Sequence, residues 1–446
     1  GYMATFKEYL KEEGITPTDE IIELDFETRP NLPKSKLKTL SLKDGYKDNQ
    51  IKGFKRTIYP WLYEVPVEFA GKIKEAHITL DMYPKIEAMG SQDKGAAIAE
   101  GNVRHMGKIA SETMAMFDWD RIYLSVQEFK QLRSWSNLRL DRSRLIDFCL
   151  DQNGWYTLFI PKSEMTIRRV ADISKQENIL IRLLHDYTDR FYKSLKSAYE
   201  GQFYDIVNVR EDDDTLLKVY QFAIDDTPDG EAYEQKLKVL QELVKDGKLG
   251  EASKWNAGQM VAICFDSHLY YPLFAIEGAA PLKLRPLAFD APSEVSFVRD
   301  LEDFYNSSLG KQVIGKRSLY LLRNADTKAK GLGFALAGNF YPDFLLWLVD
   351  DETGEQWLNF IDPKGIRQMN LHDPKLGLYK EVKVLEAKLA DPKLTLNAFI
   401  ISGTSFADLL NVSVKKSDLE QRNVLFMEDG GATYLKKMFD TCLLTA

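Results

Sequence analysis

Two apolar segments joined by a short polar turn constrain the fold of this chain more than any other feature. Residues 344–349 and 357–361 are apolar runs of strand length, and residues 350–355 between them are polar and include Gly354. This pattern is typical of two antiparallel β-strands connected by a turn. We therefore expect the residue before the first run and the residue after the second to lie at the same end of a sheet.

Those two positions carry the acids Asp343 and Asp362, and Lys364 follows the second acid by two residues. Because alternate side chains of a strand point to the same face, Lys364 should share a face with Asp362. Carboxylate oxygens suit a hard cation such as Mg²⁺, with the carbonyl oxygen of Pro363 as a further ligand. A lysine can orient a water or stabilise charge on phosphorus. The spacing predicts a metal-dependent phosphodiesterase site.

The alternative interpretation of these motifs is a pair of ordinary turns. Asp-Pro-Lys also occurs at residues 373–375 and 391–393, where no strand-length apolar run directly precedes the Asp. We interpret those two copies as loop and helix-start signals. Only the copy at residues 362–364 follows a predicted strand, which favours the site over the turn at that position.

The wider context of the motifs resembles a known nuclease family. Residues 319–324, 331–334, 339–344 and 360–365 together resemble the C-terminal nuclease domain of type III restriction enzyme Res subunits. Related DEAD/DEAH-helicase–nuclease fusions of bacterial defence systems share this domain, which belongs to the PD-(D/E)xK superfamily. The resemblance is specific over about residues 293–368 and weaker over the rest of the C-terminal third. It implies an α/β, restriction-endonuclease-like core of element order αβββαβ.

The resemblance also implies roles for the residues that match the family motif. Asp343 and Asp362 become ligands of Mg²⁺, for which Mn²⁺ can substitute, and Lys364 becomes the catalytic lysine. Members often carry a His near the position of Gln368. A glutamine there can bind phosphate or order a water but cannot titrate, so a proton transfer at this position is in doubt.

A further acid usually lies on the helix before the sheet in that superfamily. Residues 293–301 fit such a helix, and Glu294 is the best candidate. Glu302 and Asp303 on the same segment are rivals. For each of the three, the alternative is a helix acid that faces solvent.

Composition places the chain among globular proteins of two or three domains. It has 446 residues, of which 44% are apolar and 28% charged. No apolar run reaches the length of a membrane span, and we recognise no secretion signal. The three cysteines are far apart in apolar surroundings, which indicates reduced core residues and a cytoplasmic protein without membrane contact.

Two basic segments predict contacts with nucleic acid, although the chain has a net charge of −8. Residues 34–56 contain eight Lys or Arg against two Asp, and residues 130–144 contain further arginines around a tryptophan. Backbone contacts and base stacking would suit these side chains. The alternative is two solvated faces with the tryptophan in the core. The candidate nucleic-acid-binding residues are Lys52, Lys55, Arg56, Arg133, Trp135 and Arg139.

Three regions are predicted along the chain. Residues 1–120 should form a mixed α+β region with strands at 57–69 and 76–80, and residues 121–285 a mainly helical connector. Residues 286–446 should form the nuclease domain. Its predicted elements are a helix near 293–307, a strand near 318–323, the hairpin 340–362, a helix near 376–389, and strands at 398–401 and 424–427.

The sequence contains no phosphate-binding loop and no Walker B tetrad, so we expect no ATP hydrolysis by this chain. The resemblance implies a helicase motor in the same full-length protein or in a separate subunit, a methyltransferase (Mod-like) partner, and double-stranded DNA as substrate. We therefore expect a Mg²⁺-dependent DNA endonuclease of a restriction system. The alternatives are a non-cleaving DNA-binding or partner-docking module with the same fold, and an RNA-directed nuclease.

Overall fold

The computed structural model of the chain contains helices and strands in alternation, which confirms the predicted α/β class. It describes residues 21–71, 76–83, 105–151, 154–213, 215–276, 282–285, 289, 292–324, 342–367, 373–409 and 414–444. Within these residues, no helix is both long enough and apolar enough to cross a membrane.

The strands of the described residues have between two and nine residues, and the two longest lie between residues 356 and 402. They are β1 (Ile21–Glu27), β2 (Arg29–Pro30), β3 (Lys38–Leu42), β4 (Ile78–Asp81), β5 (Met106–Gly107), β6 (Tyr156–Phe159), β7 (Tyr204–Asn208), β8 (Val219–Asp225), β9 (Asn256–Ala257), β10 (Met260–Ile263), β11 (Tyr270–Tyr271), β12 (Leu273–Ile276), β13 (Leu282–Arg285), β14 (Ser318–Arg323), β15 (Phe344–Val349), β16 (Gln356–Lys364), β17 (Leu394–Ser402) and β18 (Val424–Phe426).

The α-helices include one of 31 residues in the middle of the chain. They are α1 (Phe54–Thr57), α2 (Ser111–Met114), α3 (Trp119–Leu132), α4 (Arg142–Leu150), α5 (Val170–Glu200), α6 (Pro228–Lys245), α7 (Leu249–Ala252), α8 (Pro292–Asn306), α9 (Ser308–Ile314), α10 (Leu378–Leu389), α11 (Lys416–Glu420) and α12 (Gly431–Leu444).

The largest sheet contains the two strands predicted from the apolar runs. Among the described residues, β14 to β18 lie side by side in chain order. The pairs β14–β15 and β15–β16 are antiparallel, whereas β16–β17 and β17–β18 are parallel. Phe344 of β15 lies opposite Ile361 of β16, which confirms the hairpin. Asp343 and Asp362 therefore lie at the same end of this sheet.

Both faces of this sheet are covered, which explains why β15 and β16 are buried almost throughout. On one face, Trp347 Nε1 donates a hydrogen bond to the carbonyl oxygen of Lys38 at 2.7 Å. On the other face, Asn359 Oδ1 accepts hydrogen bonds from Asn397 Nδ2 and from Cys442 Sγ of α12, each at 2.9 Å. The sheet thus lies between α12 and the segment that contains β3.

Two large hydrophobic clusters divide the described residues differently from the predicted regions. One cluster comprises buried residues between 54 and 199, and the other joins residues 26–40 to residues 204–442. The second cluster forms because β8 pairs with β1 on one side and with β13 on the other. These pairings join distant parts of the chain and leave no local sequence signal. The boundaries at 120 and 285 stay predictions, and neither coincides with a change of cluster.

Several local predictions differ from the structure. The strand predicted at 57–69 is wrong, because α1 ends at Thr57 and a 3₁₀-helix spans Val67–Phe69. The region 121–285 contains the predicted helices but also β6 to β13. The strand predicted at 76–80 is confirmed by β4. The three cysteines are free and buried, as expected.

Candidate active site

The two predicted acids touch each other at one end of the large sheet. Asp343 is the last residue before β15, and Asp362 lies in β16 with only 4% of its surface exposed. Their carboxyl groups are joined by a hydrogen bond. Asn324 fixes the approach to β15, because its backbone N–H donates to Asp343 O at 2.8 Å and its Nδ2 donates to Pro342 O at 2.9 Å. Hairpin register and this clamp together hold the acids in contact.

Two lysines, rather than the one predicted, bind Asp362. Lys364 Nζ lies 3.0 Å from Asp362 Oδ2, as expected for alternate residues on one face of β16. Lys375 Nζ lies 3.1 Å from the same oxygen. Lys375 belongs to the Asp-Pro-Lys copy at 373–375, which begins the 3₁₀-helix Pro374–Gly377 through the cap at Asp373. The helix-start interpretation of that copy is confirmed, but it missed the side chain that reaches the site.

Glu294 of α8 also lies at this end of the sheet. Arg323, the last residue of β14, places its guanidinium 3.3 Å from Glu294 Oε2. Glu294 is close enough to Asp343 to raise the pKa of that carboxyl. Its rival Glu302 instead interacts with the groups of Asp303 and Asp266. Position favours Glu294 among the predicted helix acids, although its nearest charge is an arginine.

A buried histidine supports Arg323 from behind. His268 is fully buried, and its Nε2 accepts a hydrogen bond from the backbone N–H of Arg323 at 2.9 Å, while Nδ1 lies 2.7 Å from Tyr270 O. Burial lowers the pKa of His268 to about 3. The ring is therefore neutral and holds the end of β14. Sequence reasoning did not select His268, since a lone histidine carries no motif.

The electrostatics of the two acids are unequal. Burial, followed by the repulsion of Asp362, raises the pKa of Asp343 far above the usual carboxyl range. Burial also acts to raise the pKa of Asp362, but Lys364 and Lys375 outweigh it and the pKa is lowered. Asp362 is thus ionised and Asp343 holds the proton that the pair shares. Holding this proton avoids the repulsion between two like charges at the same site.

The lysines are also unequal. Burial and the neighbouring charge of Lys375 lower the pKa of Lys364, in spite of its ion pair with Asp362. For Lys375, burial acts in the same direction but the attraction of Asp362 outweighs it and the pKa is raised. Lys364 is therefore the lysine that gives up a proton more readily.

The oxygen donors at this position suit Mg²⁺. Within the described ranges, no three His, Cys, Asp or Glu side chains lie together in a way that could hold a metal ion. Mg²⁺ is commonly bound through one or two carboxylates, with waters completing its shell, so Asp343 and Asp362 are a sufficient protein contribution. The predicted third ligand, Pro363 O, accepts a hydrogen bond from Ser293 Oγ at 3.3 Å.

Comparison with known proteins adds no family assignment. No protein-family model matches the chain, and neither the curated proteins nor the solved structures contain a match. The roles of the site residues therefore depend on geometry and chemistry alone. Gln368 lies outside the described residues, so its predicted part in the site stays a prediction.

The second predicted basic segment contacts the chain just after the end of the first. The backbone N–H of Arg139 donates to Pro60 O, and that of Leu62 donates to Arg139 O, each at 2.8 Å. Lys52, Arg56 and Arg139 are exposed, as a nucleic-acid contact requires. The approach of Arg139 to residues 60–62 was not predicted, because it depends on a long-range bridge between Trp61 and Arg139.

Three of the predicted contact residues are engaged within the protein. Trp135 is 8% exposed, and its ring stacks on Tyr192 at a centroid distance of 4.2 Å. The prediction that Trp135 stacks on a base is therefore wrong, and the residue belongs to the core. Arg133 lies 3.6 Å from the ring centroid of Phe129, and Lys55 lies 3.9 Å from Asp48. These contacts compete with any nucleic acid.

Two other aromatic side chains, Tyr59 and Trp61, lie beside the arginines of the second basic segment. Tyr59 is 51% exposed, and the guanidinium of Arg139 lies 6.0 Å from its ring centroid and 5.5 Å from that of Trp61. Arg144 lies 4.5 Å from the Trp61 ring. Sequence reasoning missed both aromatics, because it assigned residues 57–69 to a strand. The sequence did contain one signal for an exposed aromatic pair: Pro60 separates Tyr59 from Trp61, and a proline is unfavourable in a central strand.

Proposed function

We propose that this protein is a Mg²⁺-dependent endonuclease that cleaves DNA phosphodiester bonds, with a PD-(D/E)xK type of core. The observation that carries the proposal is the direct contact of Asp343 with Asp362 at adjacent strand ends, beside Lys364. This juxtaposition joins residues that were selected from sequence for that chemistry. The order of helix, three antiparallel strands, helix and parallel strand across β14–β17 supports the same assignment.

Each side chain of the site has a distinct part in such a reaction. Asp343 and Asp362 would hold the cation, which supplies positive charge at the phosphate and a more acidic water. Lys364 lies on the strand face of Asp362, where its ammonium can orient the attacking water or stabilise the developing charge on the phosphate oxygens. Arg323 keeps Glu294 beside the pair, so Glu294 adjusts the charge of the site.

In its cellular setting, the proposed enzyme is the cleaving part of a type III-like restriction system in the cytoplasm. The ATP-driven motor and a methyltransferase subunit would be its partners, in the same full-length protein or as separate chains. The exposed positions of Lys52, Arg56 and Arg139 support contact with the phosphate backbone of DNA.

The test is nicking of supercoiled DNA in the presence of Mg²⁺ by wild type, Asp362→Asn and Asp391→Asn. Asp391 lies in another Asp-Pro-Lys copy and pairs with Lys38 at 2.5 Å, away from the site, so it is a matched control. We expect Asp362→Asn to reduce cleavage roughly 1,000-fold and Asp391→Asn to leave it unchanged. Equal cleavage by all three would contradict the proposal. DNA binding without cleavage by wild type would favour the non-cleaving alternative, and faster cleavage of RNA would favour the RNA-directed one.

A further inference from the structure

The second lysine at the site, Lys375, indicates that the two ammonium groups have different roles. Lys364 and Lys375 bind the same oxygen, Asp362 Oδ2, at 3.0 and 3.1 Å. A carboxylate oxygen that coordinates Mg²⁺ lies about 2.1 Å from the ion. The positive charge of a second ammonium group beside that oxygen repels the cation. One ammonium group must therefore move when a divalent cation binds to this oxygen.

Lys375 is the lysine that can move. Its side chain is 34% exposed, against 24% for that of Lys364. Lys364 lies within the central strand β16, whereas Lys375 lies in a single 3₁₀ turn before α10. The side chain of Lys375 thus approaches the acids from the solvent side, which is the side from which a phosphodiester must also approach.

Resting on the proposed function, we propose that Lys375 is a substrate-phosphate residue that neutralises Asp362 while the cation is absent. When the cation binds, the ammonium group of Lys375 leaves Asp362 Oδ2 and contacts a non-bridging oxygen of the DNA phosphate. Lys375 therefore opposes the binding of metal and favours the binding of DNA. A lysine with a merely structural role would not change these two affinities in opposite directions.

The experiment measures both affinities with the full chain. Mn²⁺ binding is followed by titration calorimetry. Binding of a short fluorescent DNA duplex is followed by anisotropy at several salt concentrations in the presence of Ca²⁺, so that a divalent cation occupies the carboxylates and Lys375 is released from Asp362. We expect Lys375→Gln to bind Mn²⁺ roughly tenfold more tightly, since a positive charge beside the cation is removed. The same variant should bind DNA more weakly, and the slope of log K against log salt should fall by about one phosphate contact.

A matched control is available in the third Asp-Pro-Lys copy. The backbone N–H groups of Lys375 and Lys393 donate to the preceding Asp in the same way, at 2.9 Å, but the side chain of Lys393 is exposed and distant from Asp362. Lys393→Gln should leave both affinities unchanged. Lys375→Arg keeps the charge and should retain DNA affinity, which separates loss of charge from loss of folding.

The outcomes separate this inference from the proposed function. If Asp362→Asn removes Mn²⁺ binding while Lys375→Gln equals wild type in both assays, only the role of Lys375 is overturned. If Asp362→Asn binds Mn²⁺ as wild type does, the metal site itself is overturned. Weaker binding of both Mn²⁺ and DNA by Lys375→Gln, or no DNA binding by wild type, would also overturn the inference.

Discussion

Two clusters of acids and lysines in this protein contain the same residue types but arrange them in opposite ways. In the site cluster, Asp343 and Asp362 touch each other, with Lys364 and Lys375 on one side. In the helix cluster, made of Asp48, Lys55, Lys196 and Glu200, a lysine separates the acids: Lys196 Nζ lies 2.9 Å from Asp48 Oδ2 and 3.9 Å from Glu200 Oε1. The helix cluster has an ammonium group between its two acids, whereas in the site cluster both ammonium groups bind the same acid, Asp362.

A shifted pKa does not distinguish the two clusters. Burial raises the pKa of Glu200 to about 8, with the charge of Lys196 opposing it, and burial also raises the pKa of Asp343. Perturbed acids occur in structural ion-pair networks as well as in active sites. The two clusters differ in whether the acids share a proton, and in how far solvent reaches the lysines beside them. This comparison leads to four predictions.

The largest expected effect comes from Asp343→Asn. Cleavage of supercoiled DNA should fall roughly 1,000-fold, equivalent to about 4 kcal/mol of activation free energy, because one of the two cation ligands is removed. The free energy of unfolding, measured by urea at pH 8, should equal or exceed that of wild type, since the folded state must keep Asp343 protonated at a pH where the unfolded chain releases that proton, and an amide avoids this cost. A large loss of stability together with unchanged cleavage would mean that Asp343 stabilises the fold and does not hold the cation.

Lys196→Met should have the reverse pattern. It leaves Asp48 and Glu200 without the ammonium group between them, and Glu200 is almost fully buried. Because Asp48 is partly reached by water, we expect the free energy of unfolding to fall by about 2–3 kcal/mol. Cleavage per folded molecule should not change. Unaltered stability with lost cleavage would mean that the helix cluster has been misassigned.

His268 extends the comparison to the support of the site. Its folded pKa of about 3 lies below that of an unfolded histidine, so the unfolded state gains a proton first as pH falls. The stability that this neutral ring contributes is complete above about pH 6.5 and is lost as pH falls toward 3. Between pH 7 and pH 5 the loss should be about 2 kcal/mol. His268→Gln should show a flatter dependence of unfolding free energy on pH, and an identical dependence would exclude the histidine as its source.

Glu200→Gln should change the pH dependence of stability in the opposite direction to His268→Gln. The folded pKa of Glu200 is raised, so the folded state holds a proton that the unfolded state releases, and stability falls as pH rises from about 4.5 to 8. The variant should lack this loss, so between pH 6 and pH 8 its free energy of unfolding should fall by about 2 kcal/mol less than that of wild type. Urea unfolding at pH 6 and pH 8 measures the difference. A variant less stable than wild type at pH 8 would indicate that Glu200 is ionised and well paired.

Local sequence patterns were sufficient for the sheet that carries the site. The apolar runs, the Gly354 turn and the acids at the strand ends specify β15, β16 and the contact of Asp343 with Asp362, because hairpin register depends on neighbouring residues. Glu294, the helix acid selected by position, lies close to Asp343, while its role stays a prediction. Its pairing with Arg323 was not predicted.

The features that sequence reasoning missed depend on contacts between distant residues. Lys375 and Lys393 follow identical Asp-Pro dipeptides, and only the folded chain brings the first of them to Asp362. Trp135 lies in an Arg-rich segment, yet stacking on Tyr192 of α5 buries it. The pairing of β1 with β8 joins residues almost 200 positions apart, so no local signal could reveal it.

Calorimetric titration with Mn²⁺ tests the central claim, that touching acids rather than bridged acids form the metal site. Wild type, Asp362→Asn and Glu200→Gln are compared under one set of conditions. We predict that Glu200→Gln binds Mn²⁺ with the affinity of wild type, while Asp362→Asn binds it at least tenfold more weakly. Equal affinities of Asp362→Asn and wild type would contradict the account.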